Sequence, residues 1–288
     1  MDYILHLLIL SLIYSILAIG LNLVVGYAGL LSIAHAAFFG IGAYATAILT
    51  AQYGMGFIAS ILVGIFIAII LSILSGLVLS NFKDDYYALG SISFNIIVFN
   101  ILLNAHQLTN GALGIPAIPR PVIFNFSFSS NLSFFLLTVA IFFAVFFISR
   151  HITKSPFCKI LMAIREDEEA IQAFGYDTTK YKLLIFIIAS AFASMAGALF
   201  ASYETFIDPG IALPMESIFI LTIIIFGGLA NISGSILGAF LLILIPEFLR
   251  FVGFPLAIEA QMRQFIFGAL LIILMFYRPQ GILGKYKL

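Results

Sequence analysis

Apolar residues run through this chain in long stretches broken by short polar intervals, and one extended polar segment, residues 150–182, stands out against them. Runs such as Phe57-Ile58-Ala59-Ser60-Ile61-Leu62-Val63-Gly64-Ile65-Phe66-Ile67-Ala68-Ile69-Ile70 do not alternate apolar with polar positions, as strands of a membrane barrel must. They read as helices. A hydrocarbon core of about 30 Å climbed at 1.5 Å per residue needs roughly 20 apolar residues. Stretches of that kind lie at 3–25, 28–51, 56–79, 86–103, 132–149, 183–203, 217–230, 233–246 and 264–277, the last three shorter than the rest. The stretch 28–51 holds Gly29, Ser32, His35, Gly40 and Gly42, the mark of a broken or re-entrant helix. The pattern predicts an all-α polytopic membrane protein with about eight to nine transmembrane helices, a single domain over 1–288.

The polar segment has its own helical signals. Ser155 followed by Pro156 is a good helix start, because a Ser hydroxyl can cap free amides and proline lacks the N–H that would go unpaired. Phe157, Ile160, Leu161, Ile164, Ile171 and Phe174 then recur at helical spacing, and Gly175 suits a left-handed terminus. This gives one amphipathic helix, or two split near Asp167 as a second N-cap. An interfacial helix in a solvated loop is the simpler reading. However, such a helix should be Lys/Arg-rich on its polar face, and Glu166-Asp167-Glu168-Glu169 is acidic, which suits a protein partner better than anionic lipid.

Composition agrees with a membrane class: 63% of residues are apolar, only 9% are charged, and the formal net charge is zero, far from the quarter-charged mix of soluble domains. The single Cys158 gives no disulfide framework and no cysteine metal site, and no basic face suits nucleic acid. The basic residues Arg150, Lys154, Lys159, Arg165, Lys180 and Lys182, with Arg278, Lys285 and Lys287 near the end, place 150–182 and the tail in the cytoplasm. The loop 204–209 has no Lys or Arg and falls outside; 81–85 with Lys83 falls inside, and 105–131 with Arg120 outside. The N-terminus lacks a basic n-region, so the first apolar run reads as a retained helix, and it starts from outside if 28–51 spans fully.

A solute path needs polar groups at membrane depth, which are costly unless they face the bundle interior or water. Asn22, Ser32, His35, Tyr44, Ser91, Ser93, Asn95 and Asn100 are candidates in the first half. For any one Asn or Ser, bonding between helices is the simpler account, and His35 reads more simply as a structural histidine than as a relay. Gly234 and Gly238, four apart, suit close helix packing. Glu204, Asp208 and Glu216 form an acidic outer rim, and Glu247 with Arg250 suits a local pair. No carboxylate series marks an ion relay, no Gly-rich Lys-Ser/Thr loop marks ATP hydrolysis, and His35 lacks an acidic partner for intramembrane catalysis.

Glu169-Ala170-Ile171-Gln172-Ala173-Phe174-Gly175 resembles the Glu-Ala-Ala-x-x-x-Gly loop of ABC importer permeases. Residues 21–44, Asp85-Tyr86-Tyr87-Ala88-Leu89, 226–239 and 278–284 together resemble the branched-chain amino-acid ABC permeases, and among them the M-type subunit. The resemblance implies an inner-membrane subunit of a bacterial or archaeal importer for branched-chain or related neutral amino acids, with no cofactor of its own. It implies a homologous second permease, two cytoplasmic ATP-binding subunits and an external solute-binding protein as partners. It also implies a coupling role for Arg165, Glu166, Glu169, Ala170 and Gly175. Asn22, Ser32, His35, Asn95, Thr109 and Asn110 are the path candidates. Thr109-Asn110-Gly111 departs from the family's Thr-Gly-Gly. Permeases for urea or short amides share most of these motifs, and a self-powered carrier is the rival from another class.

Overall fold

A computed structural model describes residues 2–80, 82, 84–123, 126–251, 268–269, 276 and 281–284. The expected span 264–277, Lys83, the basic tail and the Arg250 side chain therefore lie outside the described residues. Eleven helices, numbered in chain order, make up most of what is described: α1 Asp2–Asn22, α2 His35–Ala47, α3 Phe57–Leu79, α4 Asp84–Asn104, α5 His106–Thr109, α6 Asn131–Lys154, α7 Pro156–Glu166, α8 Glu168–Ala173, α9 Thr178–Glu204, α10 Pro214–Gly227 and α11 Ile232–Phe251. Two-residue strands β1 (Val122–Ile123) and β2 (Phe126–Ser127) pair antiparallel in the loop after α5.

Among the described residues, five helices are long and apolar enough to cross a bilayer: Asp2–Tyr27, which is α1 carried on by a π-helical turn, then α3, α4 from Asp85, α6 and α9. Sixty-one per cent of the most apolar window is buried in α1 and in α9, against 28% in α3 and α6, so α1 and α9 form the core and the others face outward. The expected crossings at 217–230 and 233–246 correspond to α10 and α11, which are apolar enough for a span only when taken together and are bent by 117° at the break between them, the form of a broken span or a re-entrant loop. The bend has a local cause, since Gly228 takes φ 123° and Ala230 φ 55°, backbone states that end an α-helix.

Residues 28–34 are coil, and α2 follows with every residue buried. Its length is about 20 Å at 1.5 Å per residue, short of a full crossing until the π-helical turn Ile48–Gln52 is added. α2 packs on α9 at backbone contact: a Cβ on Gly42 would overlap the Ser194 carbonyl, and one on Gly197 the Phe39 carbonyl. Small residues at such crossings give up side-chain volume for helix–helix dispersion contact. The far end is closed by loops, where Ile115 and Ile207 exchange backbone bonds of 2.9 and 3.2 Å.

Candidate functional site

The polar segment folds into two short helices. Pro156 occupies the first turn of α7, as its missing N–H favours. The Ser155 hydroxyl departs from the expected cap and donates instead to the Ile152 carbonyl at 2.6 Å. Asp167 is the N-cap of α8, its carboxylate accepting from the Ala170 N–H at 2.9 Å. Gly175 then turns the chain at φ 87°. Cys158, Leu161 and Ile164 form the buried face of α7, and no residue of α8 is buried. Glu169 is exposed, and Phe174 is 79% exposed, an unusual position for an aromatic ring beside an acidic helix.

Two ties bind these helices to the spans. Arg165 donates from Nη1 to the Gly26 carbonyl in the π-helical turn that ends the first span, and from Nη2 to Glu166 at 3.0 Å. Its aliphatic stem lies over Gly29, where any Cβ would overlap it. On the other side, Glu168 takes the Lys182 ammonium of α9 and accepts the Thr178 hydroxyl at 2.8 Å, while Gln172 donates to that hydroxyl at 2.9 Å. The Lys182 side chain is only 9% exposed. Sequence reasoning missed Glu168, Thr178 and Lys182. The available signal was a lysine at the start of an apolar helix, a position that calls for a counter-charge. Between the coil at 28–31, the start of α4 and residues 164–169 lies a cavity of about 450 Å3.

Asn22 joins the first span to the broken pair. Its amide nitrogen lies 3.2 Å from the Gly228 carbonyl, 3.1 Å from the Asn231 carbonyl and 2.6 Å from the Ser235 hydroxyl, and its oxygen accepts from the Ala230 N–H at 3.0 Å. The backbone groups freed by the α10–α11 break are thus satisfied by one side chain, as apolar surroundings require. Residues 281–284 lie on the same bend: Ile282 and Leu283 donate to Phe226 and Gly227, and Asn231 donates to Leu283.

The other path candidates fall in two places. Ser91 and Ser217 accept from the Ile33 and Ala36 amides at 2.9 Å each, and Asn95 donates to Ser217 at 3.2 Å. Ser217, absent from the sequence candidates, is the hub of that set. Ser32 makes a local turn contact at 3.4 Å, and His35 is fully buried, both ring nitrogens lacking a hydrogen-bond partner among the described residues. Ser93 and Asn100 bond carbonyls of their own helix. Thr109 and Asn110 are elsewhere: the Thr109 hydroxyl is 2.6 Å from the Leu102 carbonyl and accepts from Gly111, and Asn110 supplies a left-handed turn at φ 58°. No group of three or more His, Cys, Asp or Glu among the described residues could hold a metal ion.

A bundle of apolar helices, with a bent helix pair latched to the first span and a charged helix pair docked on one end, is the architecture of a polytopic membrane protein. The family model described as the permease component of the branched-chain amino acid transport system matches residues 3–275, and the chain belongs to that family. It is 33% identical over 297 residues to the high-affinity branched-chain amino acid transport system permease protein LivM of Escherichia coli K12, covering 95% of this chain and 68% of that one. It is 26% identical to BraD of Pseudomonas aeruginosa, covering 94% and 92%, and 24% identical to LivH of Escherichia coli K12, covering 94% and 91%. No solved structure matches significantly.

Proposed function

We propose that the chain is the M-type permease subunit of an ATP-driven importer that carries branched-chain amino acids. The identity of 33% to LivM against 24% to LivH supports the M-type assignment. α7 and α8 serve as the coupling surface for a cytoplasmic ATPase, with Glu169, Ala170 and Gly175 on the exposed rim and Phe174 as its apolar anchor. The observation that carries this reading is the Arg165 bond to Gly26. It ties the exposed helix pair to the end of α1, and Asn22 ties α1 to the break between α10 and α11. A push on α7 therefore reaches the broken span through two hydrogen-bonded joints. A homologous second permease, two ATP-binding subunits and an external binding protein complete the importer, which resides in the cytoplasmic membrane with α7 and α8 inside.

The test is uptake of labelled leucine by proteoliposomes holding the whole importer, with Glu169→Lys and Gly175→Phe compared with the natural chain. Nothing lies within 4 Å of a Cβ at Gly175, but its φ of 87° strains any side chain placed there, so uptake is compared at equal membrane levels of the variants. ATP hydrolysis uncoupled from uptake in both variants is the expected result; normal uptake in both refutes the coupling role.

A further inference from the structure

A second cavity, of about 390 Å3, opens between the first half of α1, the start of α10 and the second half of α11. It lies at the end of α1 away from Arg165, beside His6, which bonds the Tyr203 hydroxyl near the end of α9 at 2.8 Å. Leu7, Leu10, Leu242 and Ile243 give it aliphatic walls, and the carboxylates of Glu216 and Glu247 both line it. Each carboxylate has one phenol: Tyr14 interacts with Glu216, and the Tyr3 hydroxyl donates to Glu247. An ionised carboxylate offers about four acceptor positions, so each keeps room for another donor. None of the described lining residues is Lys or Arg.

Two acidic groups facing one space inside an apolar bundle are costly without a counter-charge. The cavity lies within the range of about 300–1,000 Å3 typical of small-molecule sites, and like them it combines apolar walls with a few convergent polar groups. From this geometry we propose that the cavity is the subunit's solute site: Glu216 and Glu247 hold the ammonium of an aliphatic α-amino acid, and Leu7, Leu10 and Ile243 hold its branched side chain. α10 begins at Pro214, so its positive end faces the same rim and suits the carboxylate of a zwitterion. The proposal rests on the importer reading and adds which groups select the substrate. It also explains a selectivity that an uncharged lining cannot supply: urea and amides carry no ammonium and gain nothing from the two carboxylates.

The test is leucine and valine uptake by the reconstituted importer carrying Glu216→Gln, Glu247→Gln or Leu10→Phe. Losing a hydrogen bond to a charged group corresponds to a rise of about tenfold or more in the leucine KM for either Gln variant. Leu10→Phe, which fills part of the aliphatic wall, should raise the KM for leucine more than that for valine. The natural importer should also be inhibited by leucine and not by 4-methylpentanoate, which lacks the ammonium. A leucine KM within about twofold of the natural value in all three variants, at equal membrane levels, overturns the site and leaves the importer reading intact. Recovery of one phosphatidylethanolamine per natural chain, lost in Glu216→Gln, assigns the cavity to a lipid amine and also overturns it. Failure of the natural importer to take up leucine defeats the importer reading itself, and the site with it.

Discussion

Replacing Asn22 with Ala removes one buried side chain and every bond it makes to the α10–α11 break. Asn22 is 1% exposed, so water cannot replace what is lost. Its amide nitrogen carries two hydrogens and faces three acceptors at 2.6–3.2 Å, so two full bonds form there and a third forms from Ala230 to its oxygen. At about 0.5–1.5 kcal/mol net for each, the loss is roughly 2–4 kcal/mol, with the upper part set by backbone groups left unpaired. About 2–4 °C of melting temperature per kcal/mol for a chain approaching this size gives a fall of roughly 5–10 °C or more. Ser235→Ala removes the bond accepted from Asn22 and a longer one of 3.4 Å donated to the Asn231 carbonyl, and should lower the melt by less than Asn22→Ala. The assay is a thermal melt of the detergent-solubilised protein followed by fluorescence-detected size exclusion, with uptake measured after reconstitution. An Asn22→Ala protein melting within about 1 °C of the natural one would show that the latch carries no stability and refute the reasoning.

Lys182→Met leaves the Glu168 carboxylate partly buried without its ammonium and should destabilise the α8–α9 joint, whereas the double variant with Glu168→Gln should recover part of the loss; a double-mutant cycle on melting temperature measures it. Gly42→Val places a side chain against the Ser194 carbonyl and should separate α2 from α9, seen as loss of monodisperse protein in size exclusion. Gly29→Val displaces the Arg165 stem and should cut uptake while leaving membrane insertion normal; equal uptake would show that this contact is dispensable. Burial pushes the Cys158 thiol up to about 11, with Arg165 opposing weakly. The fold favours the neutral thiol, so its contribution to stability is complete below the ordinary thiol range and is lost as pH rises through about 11. Maleimide labelling of the intact protein should stay slow at neutral pH and accelerate only well above pH 9; rapid labelling at neutral pH would contradict that burial.

The parts of this fold legible in sequence were those set by local chemistry. Uncharged runs located α1, α3, α4, α6 and α9 to within a few residues. The Asp167 split and the Gly175 turn followed from capping rules that need only neighbouring residues. Ser155 shows the limit of those rules: its hydroxyl had a carbonyl within reach in the preceding turn and took that instead. The 117° bend between α10 and α11 was not legible, because hydropathy counts apolar length and is blind to the angle between two helices. Asn22 stands out in the sequence as a polar group at membrane depth. Its partners lie more than 200 residues away, and nothing near Asn22 in the chain shows that a broken span will need it. Ser217 and Lys182 escaped for the same reason, since each matters only through a partner that folding brings to it.

α1 connects the two ends of the molecule. At 1.5 Å per residue, the 26 residues from Asp2 to Tyr27 span about 39 Å, and its buried second half can move only with its neighbours. One end forms a wall of the Glu216–Glu247 cavity, and the other gives the Gly26 carbonyl to Arg165. The last turn, Leu23–Tyr27, is π-helical, a rare geometry that occurs mostly as single turns and frequently at functional sites. That turn is the point at which a displacement of the helix pair would first reach α1. Asn22, one residue before that turn, holds the broken span to the same point. If force from a cytoplasmic partner enters through Arg165, it meets the turn and the latch before any other part of the bundle. The cavity at the far end of α1 then senses it through a single continuous helix.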